Sequence, residues 1–335
     1  MPLWQWIALF ALSALVVTTA GVHLARAGDE IAERAQLSRL VVGMLLVAGA
    51  TSLPEIVTDV SASLAGSPDL AVGDLFGSSM ANMAVLAVVD LIHRHRLWPS
   101  VEIGHARVAS VAIGLTALAV LAVVTPTGVT VGWVGVDTIA IAGAYVAAVA
   151  WMRRSPTGRF SAGELLPAPT GWTRPTPGEL SPAIWRFVLA AAAIVVAAPM
   201  LAVSGAEIAD ASGVGETFVG IALLAWATSL PELVASIAAV RIGAADMAVG
   251  NLFGSNAFNM FVLVLADAAY VDGSMMSSVD PGQAVGGVSA ILLMAFALAA
   301  LVHGTETRAR RLEPDALLLL VVYLGGVYAV WSVGP

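Results

Sequence analysis

Long apolar runs separated by short polar links recur along the whole chain. Each run approaches the roughly 17–25 residues that a helix needs to cross a bilayer core of about 30 Å. The runs are rich in Ala, Leu, Val and Gly and lack the strict apolar–polar alternation of a membrane strand, so helices are expected rather than a barrel. The pattern predicts ten spans, over residues 4–25, 40–64, 70–92, 108–124, 131–152, 184–204, 217–240, 247–269, 284–302 and 315–333. No basic residue precedes the first run, so it reads as a span and not as a cleaved leader. Gly66-Ser67-Pro68-Asp69 and Thr125-Pro126-Thr127-Gly128 mark tight turns between spans. Residues 26–39 read as a polar link. Residues 154–181 are proline-rich and too short for a folded domain, so they read as a cytoplasmic linker between an N-terminal half, 1–153, and a C-terminal half, 182–335.

Within this pattern one stretch is written twice. ATSLPE occupies Ala50–Glu55 and again Ala227–Glu232; GDLFGSSMANM occupies Gly73–Met83 and GNLFGSNAFNM occupies Gly250–Met260. Every landmark is offset by 177 positions, and residues 41–90 agree with 218–267 at 26 of 50 positions without a gap. Shared apolar composition explains coincident Leu and Val but not coincident Thr, Ser, Pro, Glu, Asp and Asn. The repeats therefore cover about 40–92 and 217–269 and record an internal duplication.

Charge then fixes the sidedness. All 15 basic residues are Arg, and each lies in an odd-numbered connection or at its edge. Arg26, Arg34 and Arg39 follow the first span; Arg94, Arg96 and Arg107 the third; Arg153, Arg154, Arg159, Arg174 and Arg186 the fifth; Arg241 the seventh; Arg308, Arg310 and Arg311 the ninth. The positive-inside rule makes that side cytoplasmic and puts both termini outside the cell membrane. The duplicated spans, two and seven, are an odd number of crossings apart, so the copies are inverted. The expected fold is an all-α polytopic membrane protein of ten transmembrane helices in two inverted-topology five-helix repeats, an architecture that places a site near the midplane.

Composition adds little beyond this. The chain is 59% hydrophobic and 11% charged, with mean hydropathy +0.90. The absence of cysteine excludes disulfides and thiolate metal sites. A formal charge of −8 and scattered arginines give no support to a nucleic-acid partner. The five histidines, at 23, 93, 95, 105 and 303, form no midplane cluster, which argues against zinc.

The candidate chemistry sits in the duplicated motifs. Glu55 and Glu232 fall near the middle of their spans, where a carboxylate costs about 2.5–3.5 kcal/mol on lenient insertion scales and calls for a cation, a partner or water. Each follows a proline. Pro54 and Pro231 cannot donate to the carbonyls of Ala50 and Ala227, so a broken helix with exposed backbone oxygens is expected beside Thr51 and Ser52, and beside Thr228 and Ser229. Ser78 with Asn82, and Ser255 with Asn259, lie four apart on one helix face. Gly73, Gly77, Gly250 and Gly254 have the spacing of close helix contacts. The set is hard and all-oxygen, suited to Ca²⁺ or Na⁺ rather than to a soft metal. Singly, each feature has a structural explanation: back-bonding hydroxyls, a kink, interhelical glue, acids serving assembly. Their joint, inverted duplication argues against it. Outside the motifs, Asp59 reads as a solvated acid in a vestibule or as added charge along the outward path. Asp74 reads as a helix-N-terminal acid. Asp90, Asp267, Glu30 and Glu207 read as interfacial, with a gating role open for the last two.

The paired ATSLPE and G(D/N)LFGS(S/N)xxN motifs resemble the alpha-repeats of the cation/calcium exchanger superfamily, in its prokaryotic-type sodium/calcium exchanger branch. The resemblance spans effectively the whole chain. It implies that Glu55 and Glu232 bind Ca²⁺ and share Na⁺, with the Thr51 and Thr228 carbonyls completing the Ca²⁺ site. Ser52, Ser78, Ser229 and Ser255, with the Ala48 and Ala225 carbonyls, would line flanking Na⁺ sites, and Asn82 and Asn259 would adjoin the centre. Ala50 and Ala227 stand where many members have Gly. Ser79 replaces an Asn, and Asp74 stands where the second repeat has Asn251.

The resemblance implies a secondary antiporter that exchanges Na⁺ for Ca²⁺ across the cytoplasmic membrane by alternating access. It implies no enzyme activity and no resident cofactor; Ca²⁺ and Na⁺ are the substrates. The alternative is a Ca²⁺/H⁺ or other cation/H⁺ antiporter, whose branch usually has Gly-Asn before its first acidic residue. A potassium-dependent branch carries Asp at the position of Asn259, which argues against potassium coupling here. An intramembrane hydrolase would need an acid pair without flanking cation ligands. A passive channel would normally draw its symmetry from several subunits.

Overall fold

A computed structural model describes residues 1–34, 52–92, 97–98, 101, 103–154, 180–241, 245–303 and 314–333. The described chain is almost wholly helical. In order the helices are α1 (Leu3–Arg34), α2 (Leu53–Leu64), α3 (Pro68–Ile92), α4 (His105–Val124), α5 (Val136–Arg154), α6 (Leu180–Ser212), α7 (Glu216–Arg241), α8 (Ala245–Ala269), α9 (Gln283–His303) and α10 (Pro314–Val333). Eight of them are long and apolar enough to cross a membrane: α1, α3, α4, α6, α7, α8, α9 and α10. The apolar part of α5 is shorter, Val136–Met152. The expected start of the second span, 40–51, and the linker residues 155–179 lie outside the described residues.

Helix starts and stops largely follow the hydrophobic pattern, with two instructive departures. The region 26–39, read as a link, begins as helix, because α1 runs on to Arg34. A helix of 32 residues is roughly 48 Å long at 1.5 Å per residue, well beyond the hydrocarbon core. Its polar end persists because Arg186, at the start of α6, donates to Glu30 Oε2 at 2.5 Å. The second departure precedes α5. A two-stranded hairpin, β1 (Thr130–Val131) with β2 (Val134–Gly135), occupies residues expected to open the span, and Gly132 takes the left-handed φ of 68° that its turn requires.

The helices bury two apolar cores. The larger joins α3, α4, α8, α9 and α10 around Phe76, Met80, Phe253 and Met294. The smaller joins α1 and α6, which pack along one another, to the flanks of α2, α3 and α7 through Leu24, Leu70 and Leu201. Helix α3 is the most enclosed of the candidate spans. Its close seat against α7 depends on glycine. A Cβ at Gly77 would lie 2.6 Å from Ile221 Cα and 2.7 Å from the Ala225 side chain, and one at Gly220 would lie 2.8 Å from the Leu70 carbonyl. At this contact α7 forms a π-helical turn, Gly220–Leu224.

Polar links tie several helix ends on one face. The Gln283 side-chain amide donates to the Asp69 carbonyl (2.5 Å) and to Thr217 Oγ1 (3.1 Å), joining the starts of α9, α3 and α7. Asp267, near the end of α8, accepts from the backbone N–H of Gly135 and of Met275, both at 2.7 Å, and from the Thr138 hydroxyl. Both Asp90 and Asp267 are buried, against the interfacial reading. For Asp267 the reason is visible: three neutral donors replace water.

Candidate functional site

The site is built where α2, α3, α7 and α8 meet. Helix α2 starts at Leu53, after Ser52, with Pro54 in its first turn, where the missing N–H costs nothing. That start places Glu55 one residue beyond the proline, 2% exposed. In the second copy the backbone behaves differently. The expected break at Pro231 is not there: α-helix continues from Ala225 through Pro231 to Arg241. The carbonyl that Pro231 leaves without an N–H partner, that of Ala227, instead accepts from the Thr18 hydroxyl of α1 at 3.4 Å. The irregularity lies earlier, in the π-turn against Gly73 and Gly77. Glu232 is fully buried.

Glu55, from the first copy, lies close enough to Glu232, from the second, to feel its charge. The same helices carry buried neutral oxygens. Ser78 Oγ and Thr228 Oγ1 are 3.3 Å apart, a contact between opposite copies. The Thr228 hydroxyl also reaches Asp74 Oδ1 at 3.1 Å and the carbonyls of Leu224 and Ala225 at 3.2 Å. Ser52, Ser229, Ser255, Asn82 and Asn259 are all buried. Among the described residues several of these groups have no hydrogen-bond partner: Glu55 Oε2, both oxygens of Glu232, Ser229 Oγ, Asn82 Oδ1 and both amide atoms of Asn259. Buried polar atoms left so cost about 1–3 kcal/mol each, more when charged. A hard cation would satisfy them, so the donor set fits one. Among the described residues no three His, Cys, Asp or Glu side chains converge to hold an ion by themselves. The chemistry on offer is two carboxylates supplemented by hydroxyl, amide and backbone oxygens. Of the remaining expected ligands, Ala225 is buried here, while Thr51 and Ala48 lie outside the described residues.

Three residues differ from their sequence reading. Asp74 is not in the first helical turn, a place held by Asp69; it is fully buried beside Thr228. Asp59 is likewise fully buried and not solvated. Asn256, given no role, bridges the copies: Asn82 Nδ2 donates to Asn256 Oδ1 at 2.8 Å, and Asn256 Nδ2 donates to the Ser79 carbonyl at 3.2 Å. Its signal was the one-sided Asn in the second GSN, against Ser79 in the first. Of the two acids given a gating option, Glu30 pairs with Arg186, and Glu207 is exposed.

A family model described as sodium/calcium exchanger protein matches residues 5–152 and 182–332, most of the chain. The chain belongs to the sodium/calcium exchanger family. It is 27% identical over 328 residues to the inner membrane protein YrbG of Escherichia coli, covering 97% of this chain and 94% of that one. It is 38% identical over 87 residues to the sodium/calcium exchanger MaX1 of Methanosarcina acetivorans, covering 26% of this chain and 25% of that one. Among solved structures, the sodium-calcium exchanger NCX_Mj superposes with a TM-score of 0.61 at 19% identity, over 97% of this chain and 98% of that one. The H⁺/Ca²⁺ exchanger CAX superposes with a TM-score of 0.65 at 14% identity, over 98% and 88%. At such identities the superpositions speak to the fold alone. The family is one of transporters, and the apolar helices make this a multi-pass membrane protein.

Proposed function

We propose that this exchanger is a secondary antiporter that moves Ca²⁺ against Na⁺ across the cytoplasmic membrane by alternating access. The observation that carries the reading is the meeting of Glu55 and Glu232, one from each copy of the duplicated motif, in a buried setting of serine, threonine and asparagine oxygens. Two carboxylates balance one Ca²⁺. The same carboxylates, flanked by neutral hydroxyls, suit monovalent ions when Ca²⁺ has left. Competition for shared ligands is what couples the two fluxes. In this reading Thr51, Thr228, Ala48 and Ala225 contribute carbonyls, Ser52, Ser78, Ser229 and Ser255 the hydroxyls, and Asn82 and Asn259 the amides.

The architecture in this reading is ten spans in two inverted five-helix repeats. Supporting it, α3, α7 and α9 begin together at the Asp69–Thr217–Gln283 links, whereas α8, the counterpart of α3, ends near β2 and Met275. Ser63, at the end of α2, donates to the Met275 sulfur at 3.6 Å, which brings that end to the same side. The arginine-bearing connections occupy the other side, the cytoplasmic one in this reading. A second reading, Ca²⁺/H⁺ exchange, has the likeness to CAX in its favour. Uptake of radioactive Ca²⁺ into proteoliposomes separates the two. Sodium coupling predicts uptake driven by internal Na⁺ and not by internal K⁺ or a pH jump. Uptake that ignores Na⁺ and follows the pH jump selects the proton reading.

A further inference from the structure

We infer that Asp59 and Asp74 form a second divalent-cation position beside the paired glutamates, supplied by the first repeat alone. Asp59 lies on α2 one turn beyond Glu55, and Asp74 lies on α3 one turn before Ser78. Both side chains are fully buried. Their carboxyl groups face each other. The two carboxyls hydrogen-bond to each other; among the described residues the one further donor to the pair is the Thr228 hydroxyl, 3.1 Å from Asp74 Oδ1. Glu55 lies close enough to feel the charge of Asp74, and Asp59 that of Glu55; among the described residues Glu55 Oε2 and Thr58 Oγ1 are also buried without a donor.

Two facing carboxyls out of water share a proton, or, once both are ionised, repel unless a cation lies between them. Hard oxygens and a total charge of −2 match a divalent ion of the Ca²⁺ class. The pair is not a by-product of the duplication. The corresponding residues of the second copy are Ser236 and Asn251, both neutral. The added charge therefore belongs to one side of the pseudo-symmetric site, the side of Glu55 that leads along α2 to the Gly66 turn. An ion entering from that face meets Asp59 and Asp74 before the glutamates. Positions four residues apart on a helix are about 6 Å apart along the axis, so ions in the two positions repel, and filling the outer one speeds departure from the inner. The inference depends on the proposed Ca²⁺ reading for the identity of the ion, not for the geometry.

Equilibrium dialysis of radioactive Ca²⁺ against the purified full-length protein in Na⁺-free detergent counts the positions. The wild type should bind two Ca²⁺ per chain. Asp59→Ser and Asp74→Asn, which install the residues of the second repeat, should each bind one, as should the Glu55→Gln/Glu232→Gln double variant. Asp59→Asn, which keeps the side-chain shape, replaces Asp59→Ser should the latter not give a monodisperse protein. Saturation of the wild type at one Ca²⁺, as when the aspartates share only a proton, overturns the inference. So do monodisperse aspartate variants that still bind two. Two Ca²⁺ retained in the double glutamate variant would instead overturn the central-site reading and leave this one standing.

Discussion

Thr228 shows how much one side chain carries. Its hydroxyl touches Asp74, Ser78 and the carbonyls of Leu224 and Ala225, so it links both copies of the motif. The serines around the glutamates are neutral oxygens, better suited to a monovalent ion than to the divalent one. Changing Ser78 or Ser229 to Ala should raise the half-saturating Na⁺ for exchange roughly five- to tenfold, the equivalent of one ligand worth about 1–1.5 kcal/mol, with less effect on Ca²⁺ binding. Flux titrations in Na⁺ and in Ca²⁺ on the same variants check the asymmetry, and equal weakening of both would deny the serines their Na⁺ role. The motif residues were legible because they are written twice. Asp59 and Asp74 were not, since a residue without a counterpart in the second copy carries no duplication signal. A carboxylate read singly is assigned to water or to a helix end by its ordinary preference. Only packing reveals that it is enclosed.

Among the helices, the contact of α3 with α7 sets how closely the two copies approach. Gly77→Ala inserts a Cβ 2.6 Å from the Ile221 backbone, which cannot yield as a flexible side chain can. It should destabilise the protein by about 1–3 kcal/mol. Gly114→Ala, with nothing within 4 Å of the added Cβ, should be neutral or slightly stabilising in the same thermal melts. At the other end of α8, Asp267→Asn turns an amide N–H₂ toward donors that a carboxylate satisfies. It should cost about 1–3 kcal/mol while leaving ion selectivity intact, again read by melting and by flux. Eight helices long and apolar enough to span followed from apolar run length. The π-turn at Gly220–Leu224 and the continuity of α7 through Pro231 did not. Proline predicts which N–H is missing, but not that Thr18 from a distant helix supplies a substitute. The extension of α1 to Arg34 was equally hidden, because its Arg186 partner lies far along the chain.

Over the molecule as a whole, sidedness is the claim on which the inverted-repeat reading depends. The protein has no cysteine, so single cysteines can be introduced without a background. Gly158→Cys, in the arginine-bearing linker, and Val129→Cys, in an exposed connection, should label from opposite faces of the membrane with an impermeant maleimide. Labelling of both from one face would remove the inversion. The central claim is that Glu55 and Glu232 together hold the transported Ca²⁺. Glu→Gln at either position removes a charge and a strong ligand but keeps the shape, and a neutral side chain is easier to bury than a charged one. The deciding measurement is Na⁺-gradient-driven Ca²⁺ flux in proteoliposomes carrying monodisperse Glu55→Gln or Glu232→Gln protein. The shared-site account predicts folded protein with flux reduced to background in both. Near-normal flux in either would contradict it.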